Sequence, residues 1–238
     1  MLRIENFTKK YGEKVAVDNL SLHIKPGEIY AFIGHNGAGK TTTLKACIGI
    51  LSPDEGSIYI DGKSVKENPM GAKAACAYIP DNPDLYDFMT GIKYLNFVAD
   101  VFKVNAGERD SRIASLADKL GLTADLGMKI SSYSHGMKQK LAIISAFLHA
   151  PRLIMMDEPF VGLDPKASFT LKEMMREHCE GGGSIFFSTH VLDVAEKICD
   201  KVAIIKGGKL IVEGNMEEVR GDSSLETVFL ELEGQSDD

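Results

Sequence analysis

Residues Gly34 to Thr42 read Gly-His-Asn-Gly-Ala-Gly-Lys-Thr-Thr and satisfy the spacing G-x-x-x-x-G-K-[ST] with Gly34, Gly39, Lys40 and Thr41. Residues of these types at this spacing suit phosphate binding. The glycines let successive backbone N–H groups converge on an anion with no Cβ in the way, so the backbone of Asn36, Gly37, Ala38 and Gly39 becomes a candidate cradle. A helix that starts at the end of the loop adds the unsatisfied N–H groups of its first turn, Thr42 included, and the positive end of its dipole. Lys40 supplies a mobile charge for the outer phosphates of a nucleotide, and the Thr41 hydroxyl is placed to ligate Mg²⁺.

A second group of candidates lies far along the chain. Leu153-Ile-Met-Met is an apolar strand pattern that ends in Asp157 and Glu158. Ligands of open α/β sheets sit beyond the carboxyl ends of the strands, so Asp157 is positioned to hold Mg²⁺ directly or through water. Glu158, one residue further out, is suited to take a proton from an attacking water or to orient it. On its own such a strand end is equally a structural feature; beside a phosphate loop it gains chemical meaning. Ser134 and Gly136 open a helix, where a plain N-cap explains the serine. His190 follows the strand pattern ending Phe187-Ser-Thr, and a structural histidine is the simpler reading of that position alone.

These residues need a scaffold. The apolar run Glu28 to Ile33 reads as a strand before the loop, and Thr41 to Ile50 as a helix after it. Leu2 to Tyr11, Val15 to Ile24 and Ser57 to Ile60, punctuated by Gly12, Lys25-Pro26-Gly27 and Asp61-Gly62, predict a small antiparallel sheet. Ala75 to Pro80 predicts a strand of the main sheet. From about 82 to 151 the pattern turns helical, with helices at Gly91 to Phe102 behind a Thr90 cap, Glu108 to Leu120, and Gly136 to His149. Strands then alternate with helices: Leu153 to Met156, Pro165 to Cys179, Ser184 to Ser188, Val191 to Cys199 and Val202 to Ile205. That alternation implies a mostly parallel sheet. The fold class is α/β with an N-terminal antiparallel subdomain and an inserted helical subdomain, the domain running over 1–220.

The 238 residues, 44% of them apolar, are enough for a substantial core. Cys47, Cys76, Cys179 and Cys199 form no C-x-x-C pair and are expected to be buried, reduced thiols of a cytoplasmic protein. The N-terminal residues have no signal-peptide character, and the longest apolar stretch, Leu141 to Leu148, is too short for a membrane span, so a soluble chain is expected. Six of the 34 acidic residues (Asp222, Glu226, Glu231, Glu233, Asp237, Asp238) lie after 220 with no basic residue among them, which leaves the body nearly neutral against 27 basic side chains. An acidic chain without a basic run argues against nucleic acid as the main partner. Leu225, Val228, Phe229 and Leu232 nevertheless follow helical spacing, so 221–238 is read as a docked terminal helix with a frayed, acidic end.

Taken in order, these segments resemble the ATP-binding cassette (ABC) ATPases over residues 2 to about 220. Gly34 to Thr42 is similar to the family's Walker A motif, and Leu153 to Glu158 to its Walker B motif with the catalytic glutamate. Tyr133 to Met137 resembles the signature motif, Gly162-Leu163-Asp164 the D-loop, His190 the switch histidine and Tyr11 the aromatic residue that stacks on adenine. Two positions depart. The signature keeps Ser134 and Gly136 but has Tyr133, His135 and Met137 in place of the usual Leu, Gly and Gln. After Tyr78-Ile-Pro80 the chain has Asp81 where the family has the Q-loop glutamine, leaving an oxygen ligand for the metal.

The resemblance implies an ATP-hydrolysing subunit of a transporter. ATP and Mg²⁺ would be bound by the Walker motifs, with Glu158 as base and His190 holding the γ-phosphate and the attacking water. Ser134 and Gly136 would act in trans, in a head-to-tail homodimer or heterodimer of cassettes. The partner would be a transmembrane permease, through which alone the subunit would touch the inner face of the cell membrane, and the YSxGMKQ-like signature leans to export. The aromatic stretch Leu85-Tyr-Asp-Phe-Met89 is either part of the permease docking surface or the insertion's own small core. The alternative is a soluble ABC ATPase serving a regulatory or nucleic-acid-associated system, which would want a coiled-coil insertion or a second cassette. A GTPase would want an N-K-x-D base reader, and no such segment occurs.

Overall fold

The computed structural model describes residues 1–234. β1 (Leu2–Tyr11) and β2 (Lys14–Ile24) pair antiparallel around a turn at Gly12. β3 (Ile29–Ile33) is buried at every position and leads through the glycine loop into α1 (Lys40–Cys47). β4 (Glu55–Ile60) and β5 (Lys63–Ser64) return to the first sheet, whose order is β2-β1-β4-β5. α2 (Pro69–Ala74) precedes β6 (Cys76–Ile79). The helical insertion follows as α3 (Gly91–Val101), α4 (Ala106–Lys119) and α5 (His135–Leu148). The chain then alternates β7 (Leu153–Asp157), α6 (Pro165–Glu180), β8 (Ser184–Thr189), α7 (Leu192–Ile198) and β9 (Lys201–Lys206). It closes with β10 (Lys209–Asn215), α8 (Met216–Arg220) and α9 (Leu225–Gly234).

The second sheet has the order β10-β9-β3-β8-β7-β6 and is parallel except for β10 at one edge. Its central strand sends Ile29, Ala31 and Ile33 into one core and Tyr30 and Phe32 into the other. Burial on both faces is why β3, β7 and the middle of β9 read as continuous apolar runs. The expected α/β class, with an antiparallel N-terminal sheet and a helical insertion, is the observed one.

Local chemistry explains the starts of the inserted helices. Thr90 caps α3 by accepting from the Lys93 amide, Asn105 caps α4, and Ser134 caps α5 by accepting from the Met137 amide at 3.2 Å. α1 ends at Cys47, earlier than the expected Ile50, because Gly49 turns the chain with φ 71°. β10 escaped the sequence reading: it lies on an edge with side chains alternating between exposed and half-buried, and its apolar run, Leu210-Ile211-Val212, is only three residues long. α9 docks on the body as expected, with Leu225 and Phe229 buried in the larger core. The expected frayed end concerns residues 235–238, which lie outside the described residues. All four cysteines are buried free thiols, and among the described residues no helix is long and apolar enough to cross a membrane.

Candidate functional site

Parallel pairing brings four strand ends to one rim. Ile33 pairs with Thr189, Asp157 with Ser188, and Ile79 with Met156, so the segments after β3, β8, β7 and β6 emerge side by side. The segments after β3, β6 and β7 line a cleft of about 270 Å³ with Asn36, Gly37, Gly39, Lys40, Thr41 and Thr42 from the loop and α1, Asp81 after β6, and Asp157 and Glu158 at the end of β7. The antiparallel sheet supplies the remaining wall through Tyr11, Lys14 and Ala16. Tyr11 is 49% exposed at the mouth of the cleft, with the Lys9 ammonium 5.7 Å from its ring centroid.

The loop's glycines are required by geometry. A Cβ on Gly34 would stand 2.4 Å from the Ile205 carbonyl oxygen, and Gly39 has φ 111° with Ala16 closing in from the side. Gly39 is also the N-cap of α1, without a side-chain cap bond and with no acidic residue in the first turn. The amides at the helix start are therefore open to an anion. Lys40 lies almost fully buried beneath the loop, donating to the carbonyls of Gly34 at 2.6 Å and His35 at 3.3 Å, with Glu158 Oε1 at 3.7 Å. Burial holds its ammonium below the ordinary lysine range, while Glu158 and Asp157 oppose that shift. A buried cation beside uncapped amides fits phosphate.

Asp157 is fully buried and accepts from two hydroxyls, Thr41 at 2.5 Å and Ser188 by a very short bond. Asp81 lines the same cleft and accepts from the Asn82 amide at 2.8 Å. Thr41, Asp157 and Asp81 form a donor set of hard oxygens. No cage of three or more His, Cys, Asp or Glu ligands exists among the described residues. That combination fits Mg²⁺, which is held by one or two carboxylates together with substrate phosphates.

Glu158 adopts φ 48°, left-handed backbone that a non-glycine residue seldom takes. Its amide donates to the Ser188 carbonyl at 3.1 Å and contacts Ser188 Oγ at 3.3 Å. Its carboxylate is bonded to His190, whose Nδ1 lies 2.9 Å from Oε1 and whose amide donates to Oε2 at 3.4 Å. His190 thus reaches the site through Glu158 and is itself half exposed. Gly34 and Ala38 form the buried underside of the loop.

Ser134, Gly136 and Asp164 are not part of the cleft. Ser134 is exposed at the start of α5, and a Cβ on Gly136 would lie 2.7 Å from the Gly162 carbonyl oxygen, so this helix start packs on the loop after Glu158. Asp164 caps α6 through the Ala167 amide at 2.8 Å and pairs with Lys140 at 2.8 Å; Lys140 and that amide hold its carboxyl below the usual range. Three features of the cleft were not singled out from the sequence: Lys14 and Ala16 on its wall, and Ser188 as the second anchor of Asp157. Ser188 did leave a signal, a polar side chain at the end of an apolar strand beside the strand carrying Asp157.

The family description "ABC transporter" matches residues 17–161. The chain belongs to the ABC transporter family. It is 36% identical to the ABC-type transporter ATP-binding protein EcsA of Bacillus subtilis (strain 168), over 98% of this chain and 96% of that protein. It is 34% identical to the bacitracin transport ATP-binding protein BcrA of Enterococcus faecalis, over 96% of this chain and 74% of that one. A solved ATP-binding subunit of an ABC transporter superposes with a TM-score of 0.95 at 34% identity, covering 98% of this chain and 99% of that one. The mixed α/β architecture is that of ABC ATPase cassettes, and the cleft is lined by the segments that resemble Walker A and Walker B.

Proposed function

We propose that this chain is the ATP-hydrolysing subunit of an exporter, working as a head-to-tail pair of cassettes on a separate membrane permease at the cytoplasmic face. The observation that carries the reading is the Lys40–Glu158–His190 cluster set beside the Thr41–Asp157 oxygen pair in one cleft. Lys40 turns from the Gly34 and His35 carbonyls toward the β- and γ-phosphates, joined by the amides of residues 36–42. Tyr11 stacks on adenine. Thr41, Asp157 and, through water, Asp81 hold Mg²⁺, which spreads the charge of the phosphates when bound. Glu158 accepts a proton from the attacking water, and His190 orients that carboxylate and the γ-phosphate. Ser134, Gly136 and Asp164, which do not line their own cleft, serve the site of the opposite cassette. Residues 1–220 make the ATPase domain, with the helical insertion at 82–151, and 221–238 an acidic C-terminal extension.

A relative is named for bacitracin transport, and the lean to export rests on the YSxGMKQ-like signature. The docking surface for the permease is the aromatic face of the insertion. Tyr86, Phe88 and Phe97 are exposed and cluster at centroid distances of 5.9 and 5.7 Å, while Leu85, Met89 and Ile92 turn inward. Glu158→Gln tests the mechanism. Loss of a positioned base costs roughly 10²–10⁴ in rate, so hydrolysis should nearly stop while ATP binding persists and an ATP-bound dimer accumulates in light scattering. Wild-type turnover by that variant would reject the role of Glu158.

A further inference from the structure

α5 does more than present Ser134 and Gly136. Gln139, one turn further on, is completely buried. Its Nε2 donates to the Pro159 carbonyl at 3.3 Å, and its Oε1 is buried without a hydrogen-bond partner among the described residues. A buried amide with one orphaned oxygen is a poor way to fill a core, since a methionine of similar length would leave nothing unpaired. The place it reaches is the peptide that follows Glu158.

That peptide needs holding. Glu158 has φ 48° and precedes a proline, whose ring further restricts the residue before it. Backbone in so sparsely populated a region persists only when its surroundings over-determine it. On one side β8 takes the Glu158 amide through Ser188. Within the turn, the Val161 amide donates to the Glu158 carbonyl at 3.2 Å. Pro159 has no N–H, so its carbonyl is the one hydrogen-bonding group through which the next residue can be tethered, and Gln139 takes it.

We propose that Gln139 is a positioning residue for Glu158: by holding the Pro159 carbonyl it keeps the Glu158 carboxylate aimed into the cleft. The proposal rests on the reading of Glu158 as the base. Gln139 does not line the cleft and acts only through the backbone of the turn. The same helix meets the turn's continuation, through Gly136 against Gly162 and Lys140 on Asp164.

Gln139→Met removes the donor, keeps the length and leaves no orphaned oxygen. The full chain is assayed for kcat and KM for Mg-ATP, for melting with and without nucleotide, and for amide hydrogen exchange of the segment 156–163 in the nucleotide-free state. The expected result is a kcat about tenfold lower at unchanged KM, a nucleotide-induced melting shift like that of the wild type, and faster exchange at the Glu158 and Val161 amides. Combining it with Glu158→Gln should give no further loss of rate, because two residues acting through one group are non-additive. Wild-type kcat, unchanged exchange at 158–161, or a multiplicative loss in the double variant would each overturn the proposal. Should Gln139→Met fold poorly, Gln139→Glu of the same length faces the Pro159 carbonyl with an acceptor and must show the same kcat and exchange changes. If Glu158→Gln alone keeps wild-type turnover, it is the base assignment that fails, a result separate from the exchange measurement.

Discussion

Lys40 carries two opposed demands. Its burial makes the charged form unfavourable in the nucleotide-free fold, and the same burial makes it a strong phosphate ligand. Since its folded value lies below the ordinary 10.5, the unfolded chain binds the extra proton between the two, and stability must rise with pH across that window. Lys40→Met removes the contribution. The nucleotide-free variant should therefore melt at or above the wild type at neutral pH, with the difference shrinking as pH rises toward 10.5. Mg-ATP at a hundredfold its dissociation constant adds about 2.7 kcal/mol to the wild type, roughly 5–10 °C in melting temperature for a chain of this size, and nothing to the variant. An equal nucleotide shift in both proteins would remove Lys40 from the site. Asp81 poses a second test at this scale. Asp81→Asn and Asp81→Gln should both change the Mg²⁺ concentration for half-maximal hydrolysis, whereas changes at Asp84, which does not line the cleft, should not. An unmoved Mg²⁺ dependence in both would leave Asp81 only its bond to the Asn82 amide.

Among the elements, the helical insertion divides its apolar residues by function. Leu95, Ala99, Ile113 and Ala117 are buried in the larger core, and Leu85, Met89 and Ile92 pack against it, partly buried. Tyr86 and Phe88 stay outside, 47% and 76% exposed, which is why helical periodicity alone could not separate docking from packing. Charge substitution at Phe88 removes little buried area and should leave the melting temperature nearly unchanged. Co-purification with the permease should nonetheless be lost, because a charge is then desolvated in an apolar contact. Unfolding of the variant would instead assign Phe88 to the insertion's core. Ser134 is tested by its cap: Ser134→Ala should cost about 1 kcal/mol through the lost bond to Met137. A fall in hydrolysis beyond that stability loss is the signature of its role in the opposite cassette, and activity that merely follows stability would deny it.

For the molecule as a whole, the C-terminal helix reaches back to the glycine loop. Phe229 of α9 stacks edge-on against His35 of the phosphate loop at 4.9 Å, and the Leu225 amide is accepted by Glu196 of α7, the helix that follows His190. The acidic C-terminal helix thus supports both the phosphate loop and the segment beyond the switch histidine. Phe229→Ala, at a site only 6% exposed, should cost about 3 kcal/mol, a fall of roughly 6–12 °C in melting temperature. ATP affinity should fall with it, since the loop loses its support. A variant with unchanged melting and affinity would show that α9 contributes nothing to the loop.

The phosphate loop, the Asp157–Glu158 strand end and the α/β class were legible from sequence because each depends on a few neighbouring residues. A glycine that must clear a backbone, a cap that must accept an amide, and a strand buried on both faces leave local patterns. The helices of the insertion were readable for the same reason, through Thr90 and Ser134. Assembly of the site was not local. Asp157 meets Thr41 across 116 residues and Ser188 across 31, and those meetings depend on strand order and register, which no short pattern encodes. The left-handed backbone of Glu158, its tether through Gln139, and the seat of α9 on His35 likewise exist only where distant segments are pressed together. Sequence determined which chemistry this chain can carry. Tertiary structure decided which groups stand close enough to perform it, because proximity is set by packing and sheet topology and not by spacing along the chain.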